Sequence, residues 1–193
     1  MRSKIKECIL KSVENYNCIL NDEYIDANLE RIIALSVKAF KDNKKILFCG
    51  NGGSAADAQH IAAELSGRFY VNRPPLHAEA LHVNSSFITA VANDFGYEET
   101  YARMLEACGA AGDILVGIST SGNSINVVKA LKKANDLGIT TIGLTGINGG
   151  KMNDVCDLVI KVPSNDTPRI QEGHILIGHI ICQLIEVEMF PDA

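Results

Sequence analysis

His60 and Glu64 stand four residues apart in a run that reads as a helix. They therefore share one face, a turn apart, where an imidazole and a carboxylate can meet one cation. A surface ion pair is the other reading of that spacing. Gln171 and His179 lie on a second helical run near the C-terminus, with Glu172 and His174 nearby. Ile175-Leu176-Ile177-Gly178 before His179 and Ile180-Ile181 after it predict a buried imidazole, with a satisfied core histidine as the alternative. An ideal helix puts residues 171 and 179 about 12 Å apart along its axis and roughly 80° apart around it. The two can meet one ion only by leaning together or by coming from different subunits.

Two turns rich in small polar residues supply a second chemistry. Phe48-Cys49-Gly50-Asn51-Gly52-Gly53-Ser54 and Ile118-Ser119-Thr120-Ser121-Gly122-Asn123-Ser124 each follow an apolar strand pattern and open a helical one. Free backbone N–H groups, hydroxyls and the positive end of a helix dipole then aim at one spot, which suits a phosphate. Ser119, Thr120, Ser121 and Ser124 place four hydroxyls within six residues, and Ser54 holds the matching place in the first turn. Neither turn is a Walker motif, because no Gly-Lys-Ser/Thr follows, and no properly spaced third glycine completes a dinucleotide fingerprint. Plain turn and N-cap chemistry also favours these residues. The repetition after two strands favours a bound phosphorylated molecule.

Those groups need a scaffold, and the pattern predicts one. Strands are expected near 45–50, 78–83, 113–119, 140–145 and 158–162. Helices are expected near 54–66, 85–94, 98–109, 123–136 and 168–189, with a short one around 151–155. Strands alternating with helices mean parallel βαβ units, with ligands bound beyond the carboxyl ends of the strands. Residues 1–42 read as two helices: Ile5, Ile9 and Val13 recur at four-residue spacing, as do Leu29, Ile33 and, less strictly, Leu35 and Ala39. Asn21-Asp22 breaks that pattern, and Asp22 is placed to cap the second helix. This pair has no glycine turn of its own and is expected to pack on the α/β core or on a second subunit, within one domain spanning 1–193.

Composition narrows the function. The chain has 193 residues, 47% apolar and 21% charged, with a formal net charge of −5 and no lysine/arginine run. That balance argues against nucleic acid, whose phosphate backbone rewards clustered positive charge. No apolar run reaches the roughly 20 residues that cross a bilayer. The charged, amphipathic N-terminus lacks a signal-peptide core, which predicts a cytoplasmic protein with no membrane partner. Cys8, Cys18, Cys49, Cys108, Cys156 and Cys182 are scattered and read as small buried hydrophobes rather than disulfides or a thiolate metal site.

Ordered motifs carry a resemblance across nearly the whole chain from about residue 45. G-N-G-G-S at 50–54, D-A-x-H-x-A-x-E-L-x-G-R at 57–68, N-R-P at 72–74 and N-D-F-G at 93–96 come first. G-I-S-T-S-G-N-S at 117–124, L-T-G-x-x-G-G-K-M at 144–152 and R-I-Q-E-x-H at 169–174 follow. Together they resemble the phosphoheptose isomerases, the sedoheptulose 7-phosphate isomerases of the SIS (sugar-isomerase) domain class. The resemblance implies a three-layer αβα sandwich with a central parallel five-stranded sheet, flavodoxin-like, plus the N-terminal helices. It also implies one zinc ion (Zn2+) per subunit held by His60, Glu64, Gln171 and His179, and a homotetramer with active sites at subunit interfaces.

The phosphosugar contacts it implies come from Asn51, Gly52, Gly53, Asn93, Asp94, Ser119, Thr120, Ser121 and Ser124, with Glu64 and Gln171. Ser54 and Arg68 fall in matching motifs as groups that orient the phosphate or its neighbours. Glu64 is expected as the base on the carbon proton and His179 as the group moving protons on the oxygens. Ala55-Ala56, where bulkier residues often follow the first turn, and Gly173 near His174 depart from the pattern without touching a matched site residue. A similar non-enzymatic branch binds the replication initiator DnaA; it is expected to lack the counterparts of Glu64 and His179, both present here. Another SIS isomerase, acting on a pentose or hexose phosphate, is the enzymatic rival.

Overall fold

The five apolar runs form one sheet in the computed structural model, which describes residues 1–192. The strands are β1 (Ile46–Gly50), β2 (Ala78–Ala80), β3 (Ile114–Ile118), β4 (Thr140–Gly146) and β5 (Leu158–Val162). All neighbours pair in parallel, in the order β2-β1-β3-β4-β5. The helices are α1 (Arg2–Leu20), α2 (Glu23–Lys41), α3 (Gly53–Ser66), α4 (Ser85–Phe95), α5 (Thr100–Cys108), α6 (Ile125–Asp136) and α7 (Thr167–Met189). Short 3₁₀ segments span Tyr97–Glu99 and Gly150–Asp154.

Strand periodicity divides the interior in two. Ile46, Phe48, Ile114, Val116, Ile118, Ile142 and Leu144 face α2, α3 and α7 in one core. Leu47, Cys49 and Leu115 face α5 and α6 in the other. The result is the expected helix–sheet–helix sandwich. Each fully buried isoleucine or leucine contributes about 1.5–3 kcal/mol. Gly117 shows how closely the second layer packs: a Cβ there would lie 2.9 Å from a Val127 methyl.

The N-terminal helices behave differently from one another. Asp22 caps α2, its Oδ1 accepting the N–H groups of Tyr24 and Ile25 at 2.9 and 3.2 Å. α2 then buries Ile25, Leu29, Ile32, Ile33, Val37 and Phe40. α1 rests on α7 but buries only Asn15 and Ile19. Its stripe of Ile5, Ile9 and Val13 is about half exposed (54%, 58% and 47%). For the same reason Cys8 and Cys18 are exposed rather than buried, while Cys49 and Cys182 are buried as expected; all six are free thiols.

Three boundaries differ from expectation by more than one residue. β2 stops at Ala80 because it is an edge strand whose chain turns there, Val83 N–H bonding back to Ala80. α6 starts at Ile125 because residues 119–124 form the hydroxyl-lined loop. A 3₁₀ turn occupies 97–99, so α5 starts at Thr100. Chain connections leave β1 and β3 in opposite directions across the sheet, which makes the space beyond their carboxyl ends the switch-point crevice.

Candidate active site

Both polar loops open onto that crevice. A Cβ on Gly50 would lie 2.6 Å from the Ser54 carbonyl oxygen, so only glycine lets the chain double back so tightly into α3. Gly52 has φ +56° and ψ −121°, a conformation that L side chains rarely adopt. Ser54 is buried beneath this turn. The first turn of α3 leaves N–H groups without helical partners and carries the positive end of the helix dipole.

Asn51 joins the two loops. Its side-chain amide pairs reciprocally with that of Asn126, each N–H···O distance being 2.9 Å. The Tyr97 hydroxyl donates to Asn51 Oδ1 at 3.0 Å, and the Tyr101 hydroxyl lies against both Oδ1 and the Gly50 carbonyl. Burial raises the Tyr101 phenol far above its usual range, so it remains a donor. The Asn51 side chain is therefore a strut between the first loop and the first turn of α6, 75 residues on.

The second loop is pinned as firmly. Gly122 donates its N–H to Ser119 O, the Thr120 carbonyl accepts from Gly146, and Met152 N–H bonds to Gly122 O. Ser119 Oγ lies 3.0 Å from Ser124 Oγ and 3.5 Å from Ser121 Oγ, so three of the four hydroxyls converge. Thr120 and Ser121 also border a cavity of about 170 Å³ shared with Asn148, Ser164, Asn165 and Thr167.

At the other end of α3, two packing details bring the reactive groups together. Gly178 has no room for a Cβ because Ile61 sits against its backbone, and Cys182 packs beside the Ile61 carbonyl. This close approach of α3 and α7 brings His60 against His179. His60 Nε2 lies 3.1 Å from Glu64 Oε1 and 3.4 Å from His179 Nε2. One donor atom from each of the three lies within 4.8 Å of the others. Nitrogen ligands 2.0–2.1 Å from a tetrahedral zinc stand roughly 3.3 Å apart, so the two imidazoles fit such an ion as they are.

His179 is half-buried at the edge of α7, not enclosed. The buried histidine is His174, whose Nε2 lies 3.1 Å from the Thr145 carbonyl. The apolar run around His179 surrounds the whole helix and so did not specify which histidine faced the core.

Gln171 stands beside the first loop. It lies against Gly53, where a Cβ would come 2.6 Å from Gln171 Nε2. Seven residues separate Gly53 from His60, about 10 Å of helix. Within one chain, then, Gln171 packs on the first loop, and the His60 backbone lies two turns further along α3. Asn93 and Asp94 are exposed near the end of α4, the Asn93 amide donating to Asp94 at 2.8 Å. Arg68 is exposed just after α3.

Sequence reasoning gave Asp57 no role, although it opens the motif that contains His60. It is half-buried one turn before His60, and its Oδ2 is enclosed without a hydrogen-bond partner. Burial raises its carboxyl, against the lowering effect of His60 and His179. Tyr97, Tyr101 and Asn126 were likewise missed, for want of any short-range signal.

Residues 20–146 match the SIS domain family, the α/β class that this sheet order and these loops define. The phosphoheptose isomerase of Aneurinibacillus thermoaerophilus is 50% identical over 98% of this chain and 96% of its own length. That of Clostridium acetobutylicum is 48% identical over all of this chain and 98% of its own. The solved phosphoheptose isomerase of Neisseria gonorrhoeae superposes with a TM-score of 0.90, at 38% identity, covering 96% of this chain and 98% of that one. The chain belongs to the phosphoheptose isomerase family of SIS domains, and it is an isomerase.

Proposed function

We propose that the protein interconverts the ketose sedoheptulose 7-phosphate and the aldose D-glycero-D-manno-heptose 7-phosphate through a cis-enediol. Its product would enter nucleotide-activated heptose synthesis for lipopolysaccharide or capsule. The observation that carries this reading is the convergence of Glu64 and His179 with His60, in a chain half identical to enzymes of that name.

Isomerisation removes a proton from the carbon bearing a hydroxyl beside the carbonyl and returns it at the neighbouring carbon. Glu64 is the base for that proton: Oε1 faces His60, which leaves Oε2 for the substrate. His179 moves protons on the two oxygens. General acid–base groups contribute about 10²–10⁴-fold each. His60, Glu64 and His179 would hold zinc, which when bound supplies Lewis-acid polarisation of the carbonyl. Ligation and proton transfer compete for Glu64 and His179, because a cation lowers the proton affinity of its ligands. Ser119, Ser121 and Ser124, with the α3 N-terminus, hold the phosphate and so fix the far end of the sugar.

The fourth ligand points to assembly. Gln171 stands against its own Gly53 loop, a step along α3 from its own trio, which favours delivery of this ligand by a second copy of the chain. A copy that delivers Gln171 delivers its phosphate loop too. The active site is then composite, the trio from one subunit and the cradle from another, within a homotetramer. The exposed α1 stripe and the groove along α2 and α7, lined by Ile33, Ala34, Val37 and Leu184, offer apolar surface for it.

Two measurements test this. The zinc-loaded protein is expected to isomerise sedoheptulose 7-phosphate; binding of the phosphosugar without turnover would leave the non-catalytic, DnaA-type module as the better reading. Glu64→Gln and Gln171→Ala subunits, each inactive alone, are expected to regain activity when co-assembled. No recovery from folded mixed tetramers would place all four groups in one subunit.

A further inference from the structure

Arg73, from the N-R-P motif that the catalytic reading leaves unused, forms a buried ion pair with Glu186. Their side chains are 1% and 4% exposed, and Nε–Oε2 is 2.9 Å. Glu186 accepts three successive N–H groups, from Phe69, Tyr70 and Val71, at 3.2, 2.7 and 3.0 Å. Arg73 donates to the carbonyls of Glu64, Leu65 and Gly67 at 2.9, 2.8 and 3.2 Å, and to its neighbour Pro74.

Both elements that carry the trio end in this pair. Two of the carbonyls that Arg73 takes, those of Glu64 and Leu65, belong to the last turn of α3, and that of Gly67 follows at its C-cap. Glu186 lies on α7 seven residues after His179, two turns along the same helix. The segment that Glu186 binds carries Phe69, whose ring centroid is 5.8 Å from that of His179. A staple for the 67–74 loop would account for some of these bonds, but not for their joint focus on the Glu64 backbone and the side-chain wall of His179.

We propose that Arg73 and Glu186 are positioning residues for the trio: they fix the end of α3 and the Phe69 segment against α7, and so hold Glu64 and His179 at cation-binding separation. The proposal rests on the reading that the trio binds a divalent cation. Partners that orient metal ligands typically matter by 10–100-fold in affinity or activity.

Zinc affinity, measured by chelator competition, is the readout, with kcat, KM and melting temperature alongside. The parent protein is titrated first. Absence of binding there would remove the cation reading and this proposal with it. Given binding, Glu186→Gln is expected to weaken zinc affinity at least tenfold and to lower kcat while KM stays within about twofold, because the serine loop is untouched. Phe69→Leu leaves the ion pair in place and is expected to shift both quantities in the same direction, by less. A folded Glu186→Gln with a lower melting temperature but unchanged zinc affinity would make the pair a staple and overturn the proposal. If Glu186→Gln fails to fold, Phe69→Leu decides alone, and unchanged affinity there overturns it as well.

Discussion

Two polar clusters lie where α3 and α7 meet, with Glu186 two turns beyond His179 on α7, and they are built on opposite principles. Arg73 and Glu186 are almost wholly buried and make eight hydrogen bonds, seven of them to backbone groups and the eighth the ion pair itself. His60, Glu64 and His179 are half-exposed and lie mainly against one another. A saturated cluster has no capacity left for a ligand, and it resists displacement because each lost bond leaves a buried group unpaired. An unsaturated one keeps lone pairs free for a cation and a substrate. The chemistry falls to the second because the first holds the backbone beneath it.

The largest expected effect breaks the unsaturated side. Glu64→Gln keeps the shape of the side chain and removes its basicity. Turnover is expected to fall by about 10²–10⁴-fold, some 2.7–5.5 kcal/mol of barrier, with phosphosugar binding retained in calorimetry. Near-normal turnover would remove Glu64 from the base role. On the saturated side, Arg73→Met leaves Glu186 buried and uncompensated. That is expected to cost about 3–5 kcal/mol of stability by denaturant titration. A loss below about 1 kcal/mol, the scale of exposed pairs, would mean that water reaches the pair and that the contrast is weaker than its burial implies.

The two clusters were not equally legible in the sequence. His60 and Glu64 were, because a four-residue spacing on one helix is a local geometric fact. The strands and the Asp22 cap were legible for the same local reasons, and the glycines of both loops mark where side chains have no room. The clamp was not: Arg73 and Glu186 are 113 residues apart, and no periodicity connects them. Nor was the Asn51–Asn126 strut, a brace between the first loop and α6 at a residue expected to contact the ligand. The place of Gln171 followed from the parallel course of α3 and α7, which pairs the start of one helix with the start of the other. Family resemblance supplied Gln171 as an expected site residue; packing supplied its place against Gly53.

His174 sharpens the comparison, since it is buried like the clamp yet has one ring nitrogen, Nδ1, without a partner, like the trio. Burial pushes its imidazole down from 6.5 to about 4, partly opposed by the bond to the Thr145 carbonyl. The unfolded chain takes up this proton near pH 6.5 and the folded chain only near 4. Between those values the unfolded state binds more protons, so stability falls as pH falls, by roughly 3 kcal/mol across the window. Chemical denaturation from pH 7 to 4 is expected to show that slope in the parent protein and a shallower one in His174→Gln. Equal slopes would mean that the site admits the charged form, which a sealed environment does not.

The smallest expected effect returns to the serine loop, which lies between the two extremes. Ser119 is buried and Ser121 exposed, yet their hydroxyls stand 3.5 Å apart and share the cluster with Ser124. Ser121 Oγ also accepts the Asn123 N–H at 3.2 Å, a bond that water can replace at this exposed position. Its loss therefore bears on the ligand more than on the fold. One hydroxyl withdrawn from a phosphate is expected to cost about 1–1.5 kcal/mol. Ser121→Ala should then raise KM roughly tenfold while kcat and melting temperature stay near those of the parent. A turnover defect at unchanged KM would make this hydroxyl part of the reacting machinery, and the phosphate would have to be held by other groups of the crevice.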